Sequence, residues 1–200
     1  MINTLNPKEE AIPMDINKIK TMFDNAPEEN VKISDLIVDA GTQVRCKLDS
    51  QSVENYAAAM TEGKTKDFPA IKVVALTESV SMPDGSTIEA GAYVLADGFH
   101  RIESALKAKL AAFHARIVKG TLEDAKYFAM SANADHGKQL ASKDYQNAIK
   151  ELYSLNSSWC KHGKQKEIAQ LFGCSTKTVE RALKVVKAEI KAEAFKMFEA

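Results

Sequence analysis

Residues 93–101 read Tyr-Val-Leu-Ala-Asp-Gly-Phe-His-Arg, which predicts an apolar strand that passes through a glycine turn directly into a helix. Gly98 permits a tight turn and a close approach of backbone. The amides of the helix start would then form an anion site. Arg101 would add a planar fork for phosphate oxygens, and His100 a second donor or an acid–base group. Alternatively, Gly98 only ends the strand and Arg101 lies solvated on the helix, and the spacing leaves both readings open.

The composition is that of a globular protein, with 45% hydrophobic and 27% charged residues. A length of 200 residues corresponds to one or two domains. The sequence has no apolar run of membrane-spanning length, and its first residues are polar and acidic, unlike a signal peptide. Cys46, Cys160 and Cys174 lack the spacing of a metal site, so we expect reduced thiols and a cytoplasmic location.

The net charge of zero conceals an asymmetry along the chain. From Lys138 to the end there are 12 Lys and Arg against 7 Asp and Glu, whereas residues 1–137 have 15 against 20. A basic C-terminal third on an acidic body suggests that this third contacts a polyanion.

The first third of the chain predicts an arm, a strand and a helix. Residues 1–30 contain three prolines among scattered charges and are predicted to form a mobile arm, with at most a short helix at 16–23. Val31–Val38 is predicted to be the first strand. A helix capped by Asp49 or Ser50 and ended by Gly63 would follow, with an apolar face formed by Val53, Tyr56, Ala57 and Met60.

The middle of the chain predicts the rest of a mixed sheet. Residues 72–96 are predicted to form a hairpin around the turn signal Pro83-Asp84-Gly85. The helix after Gly98 and a strand at 113–118 have the spacing of a parallel strand–helix–strand crossover. Thr121 and Asp124 resemble a capping box for a helix that extends to about Asn133.

After Ser142 the sequence offers helices only, near residues 142–155, 164–172 and 175–198. We therefore predict an α+β protein, in which a small mixed-sheet domain at 31–137 precedes an all-helical domain at 138–200.

Residues 164–187 have the pattern of a helix-turn-helix, in which small Ala169 allows two helices to cross and Gly173 provides the turn. The second helix of this motif enters the major groove of DNA by its N-terminal end. Hydroxyl and basic side chains there suit phosphates and base edges. An ordinary helical hairpin is the alternative. The predicted DNA-binding residues are Lys164, Lys166, Ser175, Thr176, Lys177, Thr178 and Arg181.

Four segments together resemble the ParB/sulfiredoxin superfamily, specifically its ParB-like branch, over about residues 31–190. Residues 43–45 are similar to the family's Gln-Pro-Arg box, and residues 63–73 to its glycine–proline–strand segment. Asp97–Arg101 lies where partition proteins have Gly-Glu-Arg-Arg and sulfiredoxins have Gly-Cys-His-Arg. Residues 131–140 are similar to the Glu-Asn-x-x-Arg segment.

The resemblance implies a site for CTP or ATP, with Asn133 helping to hold the magnesium of the nucleotide. Phe99 lies where sulfiredoxins have their reactive cysteine, so the resemblance excludes sulfinic acid repair. Partition proteins have at the same place a glutamate that assists CTP hydrolysis, a role that Phe99 cannot take. The residues implied to bind the cofactor are Gln43, Arg45, Asp97, Gly98, Phe99, His100, Arg101, Asn133 and His136.

Three functions are compatible with these patterns. The leading hypothesis is a nucleotide-responsive protein that binds double-stranded DNA in plasmid or chromosome partition or in transcriptional regulation. An enzyme of the same superfamily is the alternative, either a metal-dependent nuclease or a phosphotransferase, with His100 as its acid–base group. The third is a transcription factor whose body no longer binds a nucleotide. Symmetric DNA sites would require a homodimer, for which the sequence shows no clear seam.

Overall fold

The structure is a computed structural model that describes residues 16–135, 140–155 and 163–198, with side chains described for 18–132, 140–155 and 163–192. The helices are α1 Ile16–Asn25, α2 Ser50–Thr61, α3 Phe99–Lys107, α4 Leu122–Asp135, α5 Ser142–Leu155, α6 Gln165–Leu171 and α7 Thr176–Phe198. The strands are β1 Glu28–Lys32, β2 Leu36–Ile37, β3 Ile71–Leu76, β4 Val80–Ser81, β5 Thr87–Ile88, β6 Tyr93–Asp97 and β7 Ala112–Gly120. Short 3₁₀ helices lie at Ile33–Asp35 and Lys64–Asp67.

The five-stranded sheet has the order β1-β7-β3-β6-β2 and is mixed. Strand β3 is central because it pairs parallel to β7 and antiparallel to β6. Its side chains are buried on both faces, with only Lys72 and Ala75 partly exposed. The mixed sheet with helices around it confirms the predicted α+β class, while a separate helix-turn-helix domain stays a prediction.

The sheet must curl, because its two edge strands are neighbours in the sequence. Strand β1 ends at Lys32 on one edge and β2 begins at Leu36 on the other. In a flat sheet four strand spacings would separate these edges by about 19 Å. The three residues between them give four Cα–Cα steps, which reach at most about 14 Å. The predicted single strand at 31–38 is therefore two short strands, with the 3₁₀ helix Ile33–Asp35 turning the corner.

The crossover predicted for β6, α3 and β7 is wrong. Strand β3 lies between β6 and β7, and its pairing makes these two strands antiparallel to each other. The spacing of the three elements was compatible with a parallel unit. It could not reveal that the apolar β3 would take the hydrogen bonds of both neighbours.

The short helix predicted at 16–23 is confirmed as α1, but residues 16–30 pack on the body and do not form a separate arm. Residues 1–15 lie outside the described residues. Ile19 and Phe23 of α1 are buried, and the Phe23 ring lies 4.5 Å from that of Phe128 on α4. Strand β1 pairs with β7 from Glu28 to Lys32. Apolar contacts with residues that are distant in sequence thus order a segment whose own composition is polar and proline-containing.

The helix ends and the hairpin that were predicted from short sequence patterns are found in the structure. The Asp49 carboxylate caps α2 by accepting the Gln51 amide, and Gly63 adopts a left-handed conformation after the helix ends. Thr121 and Asp124 form the reciprocal capping box at the start of α4, with bonds of 2.9 and 3.1 Å. The hairpin is also confirmed, since β3 and β6 pair antiparallel and the short β4–β5 ribbon lies between them.

Helices α5–α7 share their hydrophobic core with the body. Ile149, Leu152, Ile168 and Val186 are buried there together with Tyr127, Met130 and Val44, which precede the predicted boundary at residue 137. The opposite face of α4 packs on the sheet through residues such as Phe128. Helix α4 therefore packs against the sheet with one face and against α5–α7 with the other. The predicted boundary at residue 137 lies outside the described residues. Within those residues, no helix combines the length and apolar character that a membrane span requires.

Asp144, in the first turn of α5, fastens the loop at residues 43–46 to the helical part. Its carboxylate accepts the Cys46 amide at 2.8 Å and the Ala141 amide at 3.0 Å. Burial alone would raise the pKa of Asp144, but these amide donors and the charge of Arg45 outweigh it, so that the pKa lies below its usual value. The Cys46 thiol has a raised pKa, chiefly because of its own bond to Asp144.

Asp144→Asn should destabilise the protein by about 1.5–3 kcal/mol at pH 7, because an amide nitrogen would face one of the two amide donors. The folded pKa of Asp144 is depressed, so its contribution is complete above the unfolded value of about 3.9 and is lost as the pH falls through the folded pKa. Urea unfolding at pH 7 and at lower pH measures both effects. The difference in unfolding free energy between wild type and variant should shrink on acidification. As a control, Asp67→Asn at an exposed position should leave the unfolding free energy unchanged at both pH values. Equal losses at both pH values would contradict this role.

Candidate functional site

A cleft of about 520 Å³ opens where β6 ends and α3 begins. It collects residues from seven parts of the chain, including the loop after β2, α2 and all three central strands. Seven of the predicted cofactor residues line it, namely Gln43, Arg45, Asp97, Gly98, Phe99, His100 and Arg101. The side chain of Asn133 and the whole of His136 lie outside the described residues.

Position 98, in the lining of the cleft, has no room for a side chain. It has φ of 110° and directly precedes the first helical residue of α3. An added Cβ would lie 2.5 Å from Cγ2 of the buried Ile71. The first intrahelical bond of α3 runs from the Ile102 amide to the Gly98 carbonyl, and the helix start has no side-chain cap. The amides of this first turn therefore point along the helix axis towards the cleft.

The guanidinium of Arg101, which was predicted to bind phosphate oxygens, forms three bonds within the protein. Its Nη1 donates to the carbonyls of Pro69 and Ala70 at 2.7 and 2.8 Å, and its Nη2 to the Asp97 carboxylate at 3.0 Å. These bonds use three of the five N–H groups of a guanidinium. The side chain, which is 13% exposed, thus ties α3 to the start of β3, and its charge remains at the cleft wall.

His100 also has a structural bond. Its Nε2 accepts the Asp49 amide at 3.0 Å, and Asp49 in turn caps α2. An accepting Nε2 requires the neutral tautomer with the proton on Nδ1. The lone pair that an acid–base role would use is therefore engaged in joining α2 to α3.

Two cations in the cleft were missed by the sequence analysis. Lys72 of β3 is in register with Asp97 of β6 and with Arg116 of β7, so these three charges lie at one level of adjacent strands. The Lys72 ammonium lies 5.1 Å from the ring centre of Phe128 and 5.7 Å from that of Phe23. A lone lysine within the apolar run 71–76 was the available signal.

Arg116 is held by the end of α1. Its Nη1 donates to the Phe23 and Asp24 carbonyls at 3.2 and 2.7 Å, and the guanidinium also contacts Glu28. A cation at the C-terminal end of a helix is favourable because the terminal carbonyls carry partial negative charge. Nothing in the local sequence around Arg116 indicates this contact, which depends on the packing of α1.

Three aromatic rings form another side of the cleft. Tyr56 and Phe68 meet edge to face with their ring centres 5.0 Å apart, and Phe99 is half-buried nearby in the cleft lining. The apolar face predicted for α2 is right for Val53, Ala57 and Met60, which are buried. It is wrong for Tyr56, which is 37% exposed. Tyr56 lies at the border of the stripe and faces the cleft instead of the core.

The first turn of α7 presents a second candidate surface. Gly173 has φ of 59°, and the Cys174 amide closes the turn by donating to the Ala169 carbonyl at 2.9 Å. Ile168, Ala169, Phe172, Val179, Ala182 and Leu183 are buried together, as the pattern predicted.

The predicted DNA-binding residues fall into two groups around this turn. Lys166, Thr176, Lys177 and Arg181 are exposed. Lys164 forms an ion pair with Glu167 at 2.7 Å, and the Ser175 hydroxyl accepts the Thr178 amide at 3.2 Å and bonds the Thr178 hydroxyl at 2.9 Å. Lys164, Ser175 and Thr178 therefore form local bonds at the helix starts, although Ser175 is itself exposed, and the other four face outward.

The thiols and acidic groups show no metal centre within the described parts of the chain. Cys46 and Cys174 are free, and Cys160 lies outside the described residues. The described residues contain no cluster of three or more His, Cys, Asp or Glu side chains that could hold an ion.

Comparisons with known proteins gave matches among solved structures only. No protein-family model matches the chain, and no curated protein sequence matches it significantly. The chain is similar to the C-terminally truncated chromosome-partitioning protein ParB from Caulobacter crescentus complexed with CTP-γ-S, with 16% identity and a TM-score of 0.43 over 80% of this chain and 79% of that chain.

Two further structures are similar. For the C. crescentus protein complexed to the centromeric parS site, the identity is 19% and the TM-score 0.47, over 79% of this chain and 71% of that chain. For a Pnob8-like ParB-N domain, the identity is 18% and the TM-score 0.48, over 84% of this chain and 64% of that chain.

Gly98→Ala should cost more stability than the loss of glycine flexibility explains. Gly85 provides the matched control, because its φ is 85° and an added Cβ would meet no atom within 4 Å. Gly85→Ala should cost about 1 kcal/mol for the left-handed backbone alone. Gly98→Ala should cost a further 1–3 kcal/mol, roughly the penalty of overpacking against Ile71. Urea unfolding of both variants measures the difference, and equal losses would show that Ile71 can move away.

Proposed function

We propose that this chain is a ParB-like, nucleotide-responsive DNA-binding protein that acts in plasmid or chromosome partition or in transcriptional regulation. The observation that carries the proposal is the cleft at the β6–α3 turn, where a helix N-terminus, four cations and three aromatic rings converge. The proposed division of the chain is a nucleotide-binding part at 31–137 and a DNA-binding part at 138–200.

The phosphates would bind the first-turn amides of α3. Of the four cationic side chains in the lining, Arg101 is paired with Asp97, Arg116 is paired with Glu28, and Lys72 lies against aromatic rings. With Asp24 counted, three carboxylates oppose the four cations, so the net positive charge of the lining is small. The backbone amides at the start of α3 are the donors that suit an anion, and the helix dipole adds to their effect. Gly98 allows this turn to pack directly on Ile71, because an added Cβ would lie 2.5 Å from Ile71 Cγ2.

The aromatic side favours a nucleotide over inorganic phosphate. A nucleobase stacks on aromatic rings with a gain of about 1–3 kcal/mol per base. Tyr56, Phe68 and Phe99 line the same cleft as the α3 start, and its volume of about 520 Å³ is in the usual range for small-molecule sites. CTP or ATP is the class that the motif resemblance implies. Magnesium would be carried largely by the phosphates, with Asn133 as the proposed protein partner.

The DNA contact would be made by the first turns of α7 entering the major groove. Thr176, Lys177 and Arg181 are exposed there, and Lys166 lies exposed at the start of the preceding helix. The loop at 43–46 provides a route between the two sites. Gln43 and Arg45 line the cleft, while the next residue, Cys46, is bonded to Asp144 of α5. A homodimer would bind a symmetric DNA site.

The nucleotide part is tested by calorimetry with CTP, ATP and inorganic phosphate, each with and without magnesium. We expect saturable binding of a nucleotide, and Tyr56→Ala should weaken it by about 1–3 kcal/mol because one stacking surface is lost. The control is Leu106→Ala, since Leu106 is 50% exposed and does not line the cleft. No heat with either nucleotide, or equal affinity for phosphate alone, would refute nucleotide binding.

The DNA part is tested with Arg181→Ala. If Arg181 contacts a base, this change should weaken binding by about 1–3 kcal/mol and relax the sequence preference. Fluorescence anisotropy with duplexes selected from a random library by the wild-type protein measures both. Lys119→Ala, at an exposed position of β7, is the control. An unchanged affinity would remove Arg181 from the interface, and no binding of any duplex by wild type would refute the DNA-binding proposal.

A further inference from the structure

Helix α7 has a basic side that extends far beyond its first turns. The buried side is formed by Val179, Ala182, Leu183 and Val186. At about 100° per residue, five positions lie within roughly 80° of one another on the opposite side. These positions, all exposed, are Lys177, Arg181, Lys184, Ala188 and Lys191, and we call them the outward pole of α7.

The outward pole has four cations and no acidic residue. Glu180 lies at its border, and Glu189 lies on the flank, 3.8 Å from Lys143. Within the described ranges, none of the four cations forms a hydrogen bond or ion pair with another described side chain. This contrasts with the cleft, where Arg101 and Arg116 are each held by several acceptors. The cations of the pole therefore have their donors directed to solvent, where an external polyanion could accept them.

The pole is longer than the major groove is wide. Lys177 and Lys191 are 14 residues apart, which corresponds to about 21 Å along a helix. The major groove is only about 12 Å wide. A helix that enters the groove by its N-terminal end and is inclined across it therefore leaves the groove within the length of the pole and passes over a phosphate strand. Ala188, with its short side chain, lets the helix backbone approach that strand.

We propose that the outward pole of α7 is a phosphate-binding surface for duplex DNA, in which Lys184 and Lys191 contact the backbone next to the groove occupied by the first turns. The inference rests on the proposed DNA-binding function and adds two residues that the sequence analysis did not include. Phosphate contacts position a protein on DNA without distinguishing sequences. Lys184 and Lys191 would thus provide affinity and orientation, while Arg181 contributes to specificity.

The test is the salt dependence of DNA binding by the double variant Lys184→Gln/Lys191→Gln. Anisotropy titrations at several KCl concentrations use one selected duplex and one scrambled duplex. Each lost phosphate contact reduces the slope of log K against log salt by about 0.9, so the double variant should lose about 1.8. Both duplexes should be weakened by the same factor, because the contacts carry no base information. Lys66→Gln/Lys119→Gln removes the same charge from exposed positions of the body and should leave the slope unchanged.

The outcomes separate this inference from the proposed function. Wild type that binds no duplex refutes DNA binding itself. Wild type that binds DNA, together with an unchanged slope in the pole variant, or an equal change in the control variant, overturns the inference alone. If the pole variant binds DNA like wild type but no longer binds phosphatidylglycerol vesicles, the pole is a membrane-binding surface, and the inference is also overturned. Unchanged thermal unfolding of both variants is expected, because all four lysines are exposed.

Discussion

The turn between β6 and α3 is a packed junction in which position 98 has no room for a side chain. Gly98 lies against Ile71 of the central strand, and Arg101, one turn later, bonds the carbonyls that precede the same strand. These contacts set the angle at which α3 leaves the sheet. That angle directs the start of α3 at the cleft, and it brings His100 within reach of the Asp49 amide, which fastens α2.

The cations of the two candidate sites have different surroundings: those of the cleft contact protein groups, whereas those of α7 are exposed to solvent. In the cleft, Arg101 and Arg116 are bonded to carbonyls and carboxylates, and Lys72 lies against aromatic rings. Such groups hold elements together, and the carboxylates of Asp24, Glu28 and Asp97 in the same lining offset most of their charge. On α7, Lys177, Arg181 and Lys184 extend into solvent from the side opposite the core. Counting basic residues along the sequence cannot separate these two roles.

The motifs that resemble a known family predicted where the candidate cofactor residues lie better than they predicted which bonds those residues form. The seven predicted cofactor residues whose side chains are described, from Gln43 to Arg101, line one cleft, although they come from segments far apart in the sequence. The structure adds bonds within the protein that the motifs did not indicate. Arg101 bonds Pro69, Ala70 and Asp97, and His100 accepts an amide on Nε2, while their contacts with a nucleotide stay predictions. The backbone amides of α3 and the ring of Tyr56 take a larger part in the proposed nucleotide site.

The sequence alone was sufficient wherever neighbouring residues set the conformation. The Asp49 cap, the Thr121–Asp124 box and the turn at Gly173 follow from hydrogen bonds and backbone angles within a few residues. Contacts between distant segments required the tertiary structure. Strand β3 between β6 and β7, α1 packed through Phe23, and Tyr56 at the cleft all depend on which surfaces meet. The reason is physical: a cap is satisfied locally, whereas the direction of a strand and the partner of an arginine are settled only when the whole core closes.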